Sequence, residues 1–334
     1  MSRAADDEPR GGEPDRLDSL ARLSRSSGPE SARTVWIALG ANVLVGVAKS
    51  IAAVVTGSAS MLAEAAHSWA DTGDSVTLLV ANRRSYRPPD RAHPLGQGRE
   101  AYFWSLIAAL ALFVAGAAVS VGRGIQELIR PEPATDFVVG YVVLALAFVL
   151  EGISFLRSLR QARATADLFG YDLIEEVMAT SDPTLRAVFF EDFAALVGLV
   201  IASVGLAAHQ ATGSSTPDAV GSILVGVLLA VVAVVLINRN RQFLVGEEAD
   251  PRVRAAALQA LLEMPEIARV TYLRLEIVGP RVLYVIGYVD LVGDDTESHV
   301  AVRLRALEAR ISASPFVAGA LLSLSAPNEP SLAP

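Results

Sequence analysis

The chain has 334 residues, 52% of them hydrophobic and 19% charged, with a mean hydropathy of +0.42, too apolar for an ordinary soluble domain. Lys and Arg number 28 against 36 Asp and Glu, a formal charge of -8 that is the reverse of what a duplex nucleic-acid binder carries. Cysteine is absent, which excludes disulfides, thiolate zinc sites, iron–sulfur clusters and cysteine nucleophiles, so any bound metal must be held by His, carboxylate, carbonyl or water.

Residues 1–31 are rich in Asp, Glu, Arg, Pro, Gly and Ser and lack the apolar run of a signal peptide, which predicts a disordered tail. A span of the hydrocarbon core needs about 20 mostly apolar residues, and six runs of that kind follow, at 34–56, 59–82, 100–122, 137–158, 187–208 and 218–237. Together they define a membrane domain over residues 32–240. Orientation follows from Arg placement, because cytoplasmic loops collect basic residues. The segment before the first run holds six Arg. The second loop holds Arg83, Arg84, Arg87, Arg91 and Arg99, and the fourth holds Arg157, Arg160, Arg163 and Arg186. The opposite loops hold only Arg123 and Arg130, so both termini are expected in the cytoplasm, in a bacterial inner (plasma) membrane. Arg83, Arg84 and Arg87 also suit contact with anionic lipid heads.

Beyond Arg239 and Arg241 the composition changes, and residues 241–327 read as a small cytoplasmic α+β domain followed by a tail at 328–334. A helix at 252–263 leads into strands at 270–278 and 282–291, joined by a turn at Gly279 and Pro280. A helix at 296–312 and a strand at 318–326 complete an αββαβ order. A module of this size gains stability by pairing with a second copy, which points to a homodimer.

The second run carries Glu64, His67, Asp71 and Asp74 in mid-span, at a cost of roughly 2.5–3.5 kcal/mol for each charged group. At about 100° per residue these four, with Ser68 and Ser75, form one polar stripe down a helix. His67 and Asp71 are i and i+4, so an imidazole nitrogen and a carboxylate oxygen can converge on one metal ion. The fifth run adds Glu191 and Asp192, which as neighbours point about 100° apart and cannot reach the same ion equally well. His67 and Asp71 acting only as helix glue would leave this second acidic pair unexplained. Lys49 in the first run suits either an ion pair with the stripe or snorkelling. Glu151 in the fourth suits a structural partner facing the bundle, His93 a loop determinant, and His209 an exposed end of the fifth run.

The segments GSASMLAEAAHSWADTGDS, RPPDRAHPLGQGREAYFWSLI, RPEP and SDPTLRAVFFEDFAALVGLVIA resemble the cation diffusion facilitator family of divalent-metal transporters, in its bacterial and mitochondrial-type branch. The resemblance covers about 34–327. It implies a homodimer with six membrane helices per subunit and a cytoplasmic domain of metallochaperone-like fold, exchanging Zn2+, Mn2+, Fe2+, Co2+ or Cd2+ for protons. It also implies a transport site on His67, Asp71 and Asp192. The commonest zinc pattern places a His four residues before that Asp, where this chain has Val188, leaving Glu191 or water to complete the site. The residues around 161–185 contain no His, and His299 is the one His of the terminal domain, so a regulatory metal site there is not expected.

A mixed His and carboxylate site suits Zn2+ and tolerates Mn2+, Fe2+ or Co2+. Metal and protons compete for the same groups, a sufficient basis for antiport, with the metal as cargo and no resident cofactor. An intramembrane metal hydrolase is the rival from another class, but no HExxH is present. A non-transporting sensor or dimer partner is the rival within the same fold.

Overall fold

In the computed structural model, residues 32–131, 136–169 and 172–333 are described; the predicted tail at 1–31 lies outside them. Helices occupy all six predicted apolar runs: α1 (Ala32–Thr56), α2 (Ala59–Ser85), α3 (Glu100–Ile129), α4 (Phe137–Phe169), α6 (Pro183–Thr212) and α7 (Thr216–Val245). A short helix α5 (Leu173–Ala179) lies between α4 and α6. Four of them, α3, α4, α6 and α7, are long and apolar enough to cross a membrane. In α1 the apolar stretch Asn42–Thr56 is shorter, and α2 carries Glu64, Asp71, Asp74, Arg83 and Arg84. The molecule is thus a helical membrane domain with a small sheet domain after it.

The helix ends are written in the sequence. Ser58 caps α2 by accepting from the Met61 amide, and Asp182 caps α6 by accepting from the Thr184 and Leu185 amides, with Pro183 opening that helix. Gly213, at φ 69°, closes α6 in the left-handed conformation that glycine adopts without strain. Leu112–Ala118 in mid-α3 is a π-helical turn, a register change that composition does not betray.

Helices α3 and α7 pack through small residues. Gly116, Ser120 and Gly124 recur every fourth position on α3. A Cβ on Gly124 would come within 2.6 Å of the Ala219 carbonyl, and one on Gly226 within 2.9 Å of the Ala117 carbonyl. Such stripes let membrane helices approach closely where no water drives them together. The Ser222 hydroxyl donates to the Ser120 carbonyl at 2.8 Å along the same seam.

The terminal domain runs α8 (Pro251–Leu262), β1 (Ile267–Gly279), β2 (Val282–Leu291), α9 (Glu297–Ser312) and β3 (Val317–Leu324), the predicted αββαβ order. β1 and β2 form an antiparallel hairpin, and β3 joins β2 in parallel after α9 crosses over. Leu258 and Leu261 from α8 and Leu307 from α9 pack with Val270, Leu273, Leu275, Val285 and Val289 of the sheet. The outer edge of β1 is covered: Ala249 N donates to the Leu275 carbonyl, and Leu332 N to the Val270 carbonyl, both at 2.8 Å.

This domain docks against the membrane helices through the β1–β2 turn. Gly98, before α3, and Gly279 meet backbone to backbone, a Cβ on Gly98 lying 2.7 Å from Gly279 Cα. Arg99 pairs with Glu276. Arg281, held at φ 58°, donates its amide to Ser181 Oγ at 3.0 Å and sets its guanidinium 3.4 Å from Asp182, the cap of α6. Tyr102 stacks on Phe243 at 5.0 Å and donates to the Ser181 carbonyl at 2.8 Å.

Candidate metal-transport site

Every member of the predicted stripe on α2 faces protein. Glu64, His67, Ser68 and Asp74 are buried, while Asp71 keeps 19% of its side chain exposed. His67 Nδ1 lies 3.5 Å from Asp71 Oδ1, close but outside hydrogen-bonding geometry. Both His67 ring nitrogens, Glu64 Oε1, Ser68 Oγ and Asp71 Oδ1 are buried with no protein hydrogen-bond partner. Buried polar atoms are nearly always paired, so these donors and acceptors on one helix face stand out from the apolar residues around them.

The fifth-run acidic pair divides between two neighbours, as the angle between adjacent residues requires. Glu191 is buried and its carboxyl contacts that of Asp74 across the α2–α6 seam. Asp192 turns toward α4, where Oδ2 accepts from Ser154 Oγ at 2.7 Å. Both lie within electrostatic reach of Asp71. Among the described residues, no three His or carboxylate groups close into a coordination shell. The structure therefore brings His67 to Asp71, Glu191 to Asp74 and Asp192 to Ser154, around one region between α2, α4 and α6.

Lys49 resolves its two sequence readings in favour of pairing. Its side chain is fully buried, with Nζ 3.1 Å from Glu64 Oε2 and 3.9 Å from Glu151 Oε1. Glu64 in turn rests on α6 at Gly198, where a Cβ would stand 2.5 Å from Oε1. Ser154 went unnoticed in the sequence, although it lies three residues after Glu151 in an otherwise apolar run.

Other expectations are corrected. His209 is buried, not exposed, because α6 turns it onto Phe137, ring centroids 5.7 Å apart. His93 is a loop determinant as read, with Asp90 Oδ1 accepting from its amide at 2.7 Å. Arg186, read as a topology signal, is fully buried; it donates to the Thr180 carbonyl at 2.9 Å and Asn240 Oδ1 at 3.1 Å, and lies over the Phe243 ring. Asp218 was missed altogether. It is buried at the start of α7 and accepts from Ser58 Oγ at 2.9 Å, Ala59 N at 2.7 Å and Ser60 Oγ, which pins the first turn of α2.

Comparison with known proteins bears on the family. The cation efflux transmembrane domain matches residues 35–245. Metal tolerance protein C4 of Arabidopsis thaliana is 34% identical over 250 residues, 75% of this chain and 55% of that protein. The mitochondrial proton-coupled zinc antiporter SLC30A9 of Mus musculus is 35% identical over 231 residues, 69% of this chain and 41% of its own length. The cation-efflux pump FieF of Escherichia coli O139:H28 is 39% identical over 95 residues, 28% of this chain and 31% of that one. The chain thus spans about half the length of the first two relatives. The latter two relatives are transporters by name. With its membrane domain matched from α1 to α7, this chain belongs to the cation efflux family, the cation diffusion facilitators.

Proposed function

We propose that this protein is a secondary transporter that exports divalent transition-metal cations, Zn2+ foremost, from the cytoplasm in exchange for protons. It works as a homodimer with six crossings per subunit and both termini in the cytoplasm. The observation that carries this reading is the row of buried, unpaired polar atoms on α2, with both Glu191 and Asp192 of α6 within electrostatic reach of Asp71. The names of the zinc-antiporter relatives support zinc as cargo and protons as counter-ions.

In this reading His67, Asp71 and Asp192 hold the cargo, and Glu191 or water completes the set. Asp192 has one carboxylate oxygen committed to the Ser154 hydroxyl and keeps the other for the ion. Metal and protons compete for the same carboxylates, so cargo bound on one side and protons returned on the other are exchanged through Asp71, Asp192 and Glu191. His67 must be neutral to ligate, so a proton and the metal compete for its ring.

The test is metal uptake into proteoliposomes under an imposed pH gradient, with Zn2+, Mn2+, Fe2+ and Co2+ offered in turn. Gradient-dependent Zn2+ uptake is expected, abolished by Asp71→Ala and Asp192→Ala and less tightly coupled to protons in His67→Ala. A folded, dimeric wild type that moves no ion would instead mark a non-transporting partner or sensor.

A further inference from the structure

We infer that Lys49 is a tethered counter-cation that keeps Glu64 and Glu151 out of the cargo's ligand set, and so limits how tightly the site holds a divalent metal. This rests on the transport reading above. Lys49 is the one lysine of the chain, and its ammonium is fully buried between α1, α2 and α4 rather than snorkelled to an interface. Its closest partner, Glu64, sits one turn before His67 on the same helix face. The second, Glu151, lies one turn before Ser154, the residue that holds Asp192. Both carboxylates thus flank the proposed ligands. Left unpaired, they would be two further oxygen donors beside His67 and Asp71, and affinity for a hard or borderline dication rises with the count of charged oxygens.

The geometry makes this ammonium a fixed charge and not a mobile one. The second oxygen of Glu64 has no hydrogen-bond partner and is pressed against the α6 backbone, where Gly198 supplies room that a Cβ would take away. Glu64 therefore cannot swing freely away from Lys49. Glu151 keeps 17% of its side chain exposed and lies within electrostatic reach of Asp71. Lys49 also stands within electrostatic reach of His67 and Asp71 themselves, where a positive charge opposes cation binding at any moment of the cycle. A transporter must release what it binds, and a built-in cation that weakens the site favours release.

The sign of the effect separates this role from that of a structural ion pair. Zn2+ affinity is measured by titrating purified, folded protein, and turnover by Zn2+ uptake into proteoliposomes. Lys49→Gln is expected to tighten Zn2+ binding by about tenfold while slowing turnover, because the charges of Glu64 and Glu151 are then no longer neutralised beside the site. Glu64→Gln is expected to weaken binding by about tenfold, because the ammonium is left unneutralised beside the site. Lys49→Gln/Glu64→Gln returns affinity toward wild type, and Lys49→Arg keeps it. If Lys49→Gln gives no folded protein, the direction of the Glu64→Gln shift decides alone. Equal affinity in both single variants, or weakening in both, would overturn the inference while leaving wild-type transport intact. A wild type that moves no metal at all overturns the transport reading and this inference with it.

Discussion

Removing the carboxylate of Asp218 should loosen the membrane domain at the end remote from the sheet domain. Asp218 is 1% exposed and accepts from three groups of the first turn of α2, the Ser58 and Ser60 hydroxyls and the Ala59 amide. A hydrogen bond to a charged group contributes about 1.5–3 kcal/mol, but the serine hydroxyls retain each other at 3.2 Å, so the three do not add in full. Asp218→Ala is therefore expected to cost about 3–4 kcal/mol, most of it from the buried Ala59 amide and the anion lost from the N-terminus of α2. Asp218→Asn keeps the shape and one acceptor but sets a side-chain amide beside the Ala59 N–H, for about 2 kcal/mol. Equilibrium unfolding in mixed micelles, followed by helicity, reads both values against wild type. An Asp218→Ala protein within about 0.5 kcal/mol of wild type would show that the three contacts carry no net stability and refute the reasoning.

Two further outcomes follow from other contacts. Ser154→Ala releases Asp192 from its 2.7 Å hydrogen bond, so Zn2+ binding should tighten by about fivefold, the equivalent of about 1 kcal/mol, read by titration of the purified protein. Weaker binding would show that Ser154 orients Asp192 for the ion instead of holding it back. Gly98→Ala should push the β1–β2 turn off the membrane helices, because both nearest atoms are backbone at 2.7 Å; faster amide hydrogen exchange around Gly279–Arg281, with an overpacking cost of about 1–3 kcal/mol, is the expected signature.

Most of the fold was legible because its signals are long and cumulative. Each predicted apolar run lies on a helix, and the terminal domain kept its order, since run length and alternating β-branched residues survive small errors at the ends. What escaped is local. Helix α4 continues to Phe169 and α5 follows it because Leu, Arg, Gln and Ala are good helix formers outside the membrane as well, where no hydrophobic run announces them. The Asp172 and Glu175 capping box of α5 was the available sign.

The candidate site was half legible, and the division has a physical cause. Helical spacing fixes which residues share a face, so the stripe from Glu64 to Asp74 could be read directly, but spacing says nothing about what faces it from another helix. Lys49 with Glu64, Asp74 with Glu191 and Asp192 with Ser154 are all contacts between helices, set by packing. Arg186 makes the same point from the other direction. Counting basic residues assigns a side of the membrane, and a buried guanidinium counts the same as an exposed one. Arg186 is fully buried with its two terminal nitrogens on the Thr180 carbonyl and Asn240 and its plane over the Phe243 ring, while Arg239 lies over the same ring at 5.2 Å. The two arginines thus place positive charge on the α7 side of α6, while Asp192 faces α4 and Glu191 faces α2. Arg239 is itself paired with Glu247 at 3.4 Å, so packing gives α6 unlike polar partners on each side, which a count of charges along the chain does not reveal.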